Sequence, residues 1–187
     1  MKKIYIVLTL ALAIGVFYSF SAKKEEKAKI NWMTLEEAVE AQKTVPKKII
    51  MDAFTIWCGP CKMLDKNTFN NNDVANFINK NYYAVKFNAE GNEVIKFKGK
   101  TYTNPNFRSN TTGRNSSHQL SSYFGVRAYP TILFLDEEAN PIAPITGYKT
   151  PRQLELFLKF FTSVDVKNIT QEAWEDYKTN FVPKFKN

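Results

Sequence analysis

Two cysteines with two residues between them, in Trp57-Cys58-Gly59-Pro60-Cys61-Lys62, are the side chains of this chain best suited to chemistry. Placed at the start of a helix, Cys58 would sit beside unpaired backbone N–H groups and the positive end of the helix dipole, which favours its thiolate. Cys61 would lie one turn further on the same side, close enough to close a small disulfide ring. Pro60 fits this position, because first-turn N–H groups have no intrahelical partner. Such a pair is built for reversible oxidation, with Cys58 attacking and Cys61 resolving. The same tetrapeptide spacing also occurs as half of a zinc site or as an inert disulfide. Zinc would need two more ligands, and the chain offers only His118 and carboxylates; the expectation is no metal.

Stepping outward, the elements that must hold this pair are readable. Lys48 to Thr55 reads as a strand, too continuously apolar for a one-sided sheet and therefore buried on both faces. Asp52 interrupts it, and an acid in a buried strand is costly unless it has a purpose. Upstream, Thr34 and Glu37 form a capping box for a helix to Lys43. Downstream, the active-site helix should run to about Asn67, and Asn72 should cap a helix over Asp73 to Lys80. Strands are expected at Tyr83 to Asn88, at Thr131 to Leu135 and up to Gly147, and a short helix at Ser117 to Phe124. Pro151 opens a helix to Phe161, and Asn168 or Thr170 starts a C-terminal one carrying Trp174, Tyr177 and Phe181. Strands alternating with helices and then pairing as a hairpin make an α/β domain with a mixed sheet. Residues 91–116 break the rhythm with a hairpin about Gly99 and an Asn/Ser/Thr/Gly-rich run, a length seldom spent on plain connection.

Composition narrows the function classes. With 187 residues, 44% hydrophobic and 24% charged, the chain is globular and long enough for one domain with appendages. Two cysteines and one histidine exclude a four-ligand Cys/His zinc site and a disulfide-stapled mini-fold. The net charge of +8 is not gathered into a basic arm, and nucleic-acid binding is not expected. Residues 1–21 hold two lysines and no acids, so +6 remains beyond them.

That first segment reads as a targeting sequence: Lys2-Lys3, an apolar run Ile4 to Phe20, then small residues Ser19 and Ser21 at a plausible cleavage site. The run suits a cleaved signal peptide or a membrane anchor over residues 4–20, followed by a polar linker to residue 33 and the domain from 34 to 187. Either places the folded part outside the cytoplasm, in the periplasm of a bacterium, secreted or membrane-anchored, where thiol–disulfide chemistry is available.

From Leu35 to Phe161 the sequence resembles the thioredoxin superfamily. Beyond the Cys-Gly-Pro-Cys tetrapeptide, Asp52 stands six residues before Cys58, Val85-Lys86-Phe87-Asn88 is similar to the second core strand with its lysine, and Tyr123 to Thr131 is similar to the helix end and cis-proline loop. Gly147 matches the glycine after the last strand, and the Thr34 helix with Thr68, Phe69 and Val74 looks closest to exported bacterial members. The resemblance implies a thioredoxin fold with an insertion at about 91–116 and an extra C-terminal helix at about 166–187. It implies thiol–disulfide exchange without a cofactor, on protein disulfides, with a membrane thiol relay as electron donor. It also implies that Asp52, desolvated, takes the Cys61 proton; the plainer alternative is a solvated acid or one paired with Lys86. Pro130 would be cis, and Trp57, Gly59 and the Tyr129 and Gly147 backbones would form the substrate face. Two departures stand out: Lys66 replaces a helix-kinking proline, and Tyr129 is bulky. The insertion precedes the cis-proline helix, bordering the substrate face as a specificity element or as ornament.

Overall fold

The computed structural model describes residues 27–165 and 168–187. The targeting segment at 1–21 lies outside the described residues, as does the start of the expected linker. Among the described residues no helix is long and apolar enough to cross a membrane.

A five-stranded sheet runs in the order β1 (Trp32–Met33), β3 (Tyr82–Asn88), β2 (Lys48–Phe54), β6 (Thr131–Leu135), β7 (Pro141–Thr146). The β1, β3 and β2 strands are parallel; β6 and β7 are antiparallel to their neighbours, so the sheet is mixed as expected. The interior residues of β2 are all buried, in keeping with its continuous apolar run at the sheet centre. Edge strand β7 carries Pro141 and Pro144, which a central strand would not tolerate.

One face of the sheet packs Ile50, Ala84, Ile132 and Phe134 against α3 (Asn72–Asn81) and α5 (Pro151–Ser163). The opposite face packs Ile49, Met51, Val85 and Leu133 with α1 (Leu35–Thr44) and α4 (Gln119–Tyr123). Alternation along β2 thus sends odd and even residues to separate cores. Asp52 shares the parity of Ile50, the side on which Leu64 of α2 (Gly59–Leu64) lies. The hairpin forms as β4 (Ile95–Phe97) and β5 (Lys100–Tyr102), turned by Lys98 and Gly99, both with positive φ as a two-residue hairpin loop demands.

The expected boundaries shift in three places. The end of the stretch expected to be a polar linker joins the domain: Trp32 and Met33 pair with Ala84 and Val85 in the sheet, and Ile30 is buried. A two-residue strand has too little alternation to be read from sequence. The active-site helix changes character at Asp65 and continues as a π-helical turn to Phe69 (Asp65–Phe69), two residues beyond the expected end. Helix α3 is capped by Asn71 rather than Asn72, its side chain accepting from Asp73 and Val74 N–H. The α5 start has its own capping box, Thr150 with Gln153, in addition to Pro151. Helix α6 (Gln171–Asn180) is the expected C-terminal helix, started by Thr170. Beyond it the tail returns to the body, where buried Glu155 accepts the Lys184 and Phe185 N–H groups and Phe185 enters the core.

Candidate functional site

Strand β2 ends at Phe54, and four residues later Cys58 caps α2. Its sulfur accepts from the Cys61 N–H at 3.1 Å, and the two cysteines are joined as a disulfide with Cα atoms 5.3 Å apart. Both are 2% exposed, whereas Gly59 and Pro60 between them are exposed, with open space around the Gly59 Cα. The expected geometry of a thiol pair on the first turn of a helix is therefore present. Exposed Ile56 and Met63 flank it on the loop and on α2.

Asp52 is fully buried. Its Oδ2 accepts the Lys86 ammonium at 2.6 Å, and its Oδ1 has no hydrogen-bond partner. Burial pushes its pKa up from 3.8 to about 6, against the opposing pull of Lys86, with Asp65 adding a smaller upward push. The two sequence readings, a desolvated acid and a Lys86-paired acid, hold together: desolvation outweighs the pairing. Lys86 is also hydrogen-bonded to Asp65, which the π turn brings over β3. Its ammonium lies 4.9 Å from the Trp32 ring, 5.0 Å from Phe54 and 5.5 Å from Phe69. Strand β1 thus supplies one wall of the lysine's cage.

The Tyr129–Pro130 peptide is cis, and Pro130 is buried. The Pro130 carbonyl accepts the Gly147 N–H at 2.8 Å, and Gly147 has a φ of 84°, which favours glycine. The Gly147 backbone, expected on the substrate face, thus has its N–H paired with Pro130 within the fold, and its carbonyl accepts from Lys149 at 3.2 Å. The Tyr129 ring stands edge-on to Trp57, centroids 6.0 Å apart. Burial, first, and Glu90, second, raise its hydroxyl pKa, while a hydrogen bond with Ser117 works the other way.

Trp57 is half-buried, and what holds it comes from outside the sequence motif. Its indole N–H donates to Glu90 Oε2 at 2.7 Å, and the same oxygen accepts the Asn115 N–H at 2.7 Å. The Arg114 guanidinium lies 4.6 Å from the Trp57 ring centroid. Sequence reasoning missed Glu90, Arg114, Asp65 and Trp32. Glu90 lies two residues beyond β3, but nothing in its spacing marks it. His118 caps α4, its Nδ1 accepting from Leu120 N–H and its Nε2–H donating to the Glu93 carbonyl, which makes it a structural residue. Among the described residues no three or more His, Cys, Asp or Glu side chains gather where they could hold a metal ion.

The sequence profile of the thioredoxin-like domain matches residues 35–162. No curated protein matches the chain at a significant level. Among solved structures, a thioredoxin-fold protein from Helicobacter pylori superposes with a TM-score of 0.55 at 14% identity, covering 79% of this chain and 84% of its own. A thioredoxin from Thermus thermophilus gives 0.51 at 12% identity, covering 72% and 86%. At such identities these likenesses bear on the fold alone.

Proposed function

This chain belongs to the thioredoxin-like family, and from that premise we propose that it is a thiol–disulfide oxidoreductase that reduces or exchanges the disulfides of exported proteins. The observation that carries the reading is the Cys58–Cys61 pair at the N-terminus of α2, in a fold that also buries Asp52 with one oxygen unpartnered.

The dithiol form starts the cycle. The Cys58 thiolate attacks one sulfur of the substrate disulfide; that S–S bond breaks, one substrate thiolate leaves and takes a proton from solvent, and a mixed disulfide remains. The Cys61 thiol then gives its proton to the Asp52 carboxylate, directly or through water, and its sulfur attacks Cys58 Sγ. The second substrate thiolate departs. Two electrons have passed to the substrate, and the protein is left as the Cys58–Cys61 disulfide. A pKa near 6 lets Asp52 accept that proton and shed it again near neutrality. A dithiol relay at the membrane restores the reduced form, and the apolar run at residues 4–20 supports a place outside the cytoplasm.

Direction is tested by equilibrating the pair with glutathione buffers. A couple poised to stay oxidised supports the reductive reading; a strongly oxidising one would make the protein a disulfide-forming oxidase. A Cys61→Ser variant should trap exported proteins as mixed disulfides at Cys58. Capture of none would favour a non-enzymatic binding or assembly role.

A further inference from the structure

The insertion is a built strap. At its neck the buried Asn104 amide donates to the Gly91 and Ser116 carbonyls at 2.9 and 2.7 Å, and the Ser116 hydroxyl donates back to Asn104 Oδ1 at 2.6 Å. Nearer the tip, Asn115 accepts from the Arg108 N–H and donates to the Arg108 carbonyl. Glu90 then ties Asn115 and the Trp57 indole to one oxygen. The result places Arg114 on the ring of the residue immediately before Cys58.

A guanidinium over a ring and without an ion pair has N–H donors to offer a carboxylate. Among the described residues Arg114 makes no ion pair, and neither do Arg108, Arg127 of the cis-proline loop, or Lys62 beside Cys61, all of them exposed. The neighbouring acids are largely committed: Glu90 to Trp57 and Asn115, Asp65 to Lys86. Glu93 lines a narrow cleft of about 90 Å³ between the strap and residues 88–93. Hydrogen bonding does not discharge Glu90, so the surroundings of the dithiol hold charges of both signs, and Arg114 is the cation that lies over the Trp57 ring.

Resting on the oxidoreductase reading above, we propose that the strap selects substrates whose disulfides are flanked by acidic residues, with Arg114 as the specificity-determining cation. A substrate segment reaching Cys58 passes the Trp57 face, where Arg114 can take a carboxylate in a charge-assisted pair. Arg127 and Lys62 add long-range attraction, which speeds encounter and weakens with salt.

The test uses two disulfide-bonded peptides, identical except for aspartates or lysines beside the cysteines. For the wild-type protein, kcat/KM should favour the acidic peptide by about tenfold at low salt, the preference narrowing at 0.2 M. Arg114→Glu should cut the acidic peptide by roughly fivefold and raise the basic one, Arg114→Gln should fall between, and Arg114→Lys should retain most of the preference. Equal rates for the two peptides, or a preference untouched by Arg114→Glu, overturns the proposal while leaving the oxidoreductase reading intact. A separate arm needs no turnover: reduction of the Cys58–Cys61 disulfide by anionic mercaptoethanesulfonate and by cationic cysteamine, each normalised to its rate with a free small disulfide. The anionic thiol should be favoured in the wild type and lose that advantage in Arg114→Glu. If neither peptide is turned over, the oxidoreductase reading fails and this ratio decides the strap's role; a ratio indifferent to Arg114→Glu overturns it.

Discussion

Lys86 Nζ donates to Oδ2 of the fully buried Asp52 at 2.6 Å, while Oδ1 of the same carboxylate has no partner. A carboxylate half satisfied in this way is held near the point where it exchanges a proton, rather than being locked in its charged form.

Stability should record that imbalance. The folded-state pKa of Asp52, about 6, lies above its ordinary 3.8, so folding favours the protonated form. Stability from this group is fully present below about pH 4 and is lost as pH rises to about 6, a loss on the order of 3 kcal/mol. Asp52→Asn should therefore be more stable than the wild type at pH 8, with the gap closing by pH 4, in urea unfolding at the two values. A gap of the same size at both would contradict the account.

Asp65 shares the ammonium that Asp52 needs. Asp65→Asn leaves Lys86 to Asp52 alone and removes a nearby negative charge, so the Asp52 titration should move toward acid. Carbon-13 NMR of the Asp52 carboxyl reads this directly, and resolution of the mixed disulfide by Cys61 should gain an equally acid-shifted pH profile. An unmoved midpoint would show that Asp65, with a side chain 45% exposed, is screened from the pair.

How much of this was open to sequence reading follows from range. The strand, turn and helix about Cys58 are local, and Asp52 announced itself by interrupting an apolar run. Tyr129-Pro130 and Gly147 were legible as a pattern, though the Gly147 N–H proved to be committed to Pro130. Asp65 reaches Lys86 from the start of a π turn that no sequence pattern marks, and Trp32 reaches the same lysine from a strand of two residues. Glu90 and Asn115 are brought together by the course of the insertion, 25 residues apart in the chain. No periodicity encodes such meetings; they depend on how the sheet and the strap are closed in three dimensions.

The strap itself is accountable to one carboxylate. Glu90→Ala removes an acceptor shared by the Trp57 indole and the Asn115 N–H, costing about 1–2 kcal/mol locally. Trypsin cleavage after Arg108 or Arg114 should then speed up by roughly tenfold, while the global melting temperature moves little. Unchanged cleavage would mean that Asn104 and Asn115 hold the strap without Glu90.

On α5, Glu155 is a buried anchor for the C-terminal tail, accepting the Lys184 and Phe185 N–H groups and the Lys159 ammonium at 2.5 Å. Glu155→Ala orphans these donors and should cost about 3 kcal/mol in urea unfolding. A loss below about 1 kcal/mol would mean that the tail is held by the burial of Phe185 alone.

The central claim is that Cys58 and Cys61 together carry electrons to a disulfide. Reduction of insulin disulfides by the protein with dithiothreitol as donor, compared with Cys58→Ser and Cys61→Ser, tests it most directly. An alcohol can neither attack a disulfide nor resolve one, so each substitution should lower the rate by roughly a hundredfold or more. Turnover that persists unchanged in both variants would contradict the account.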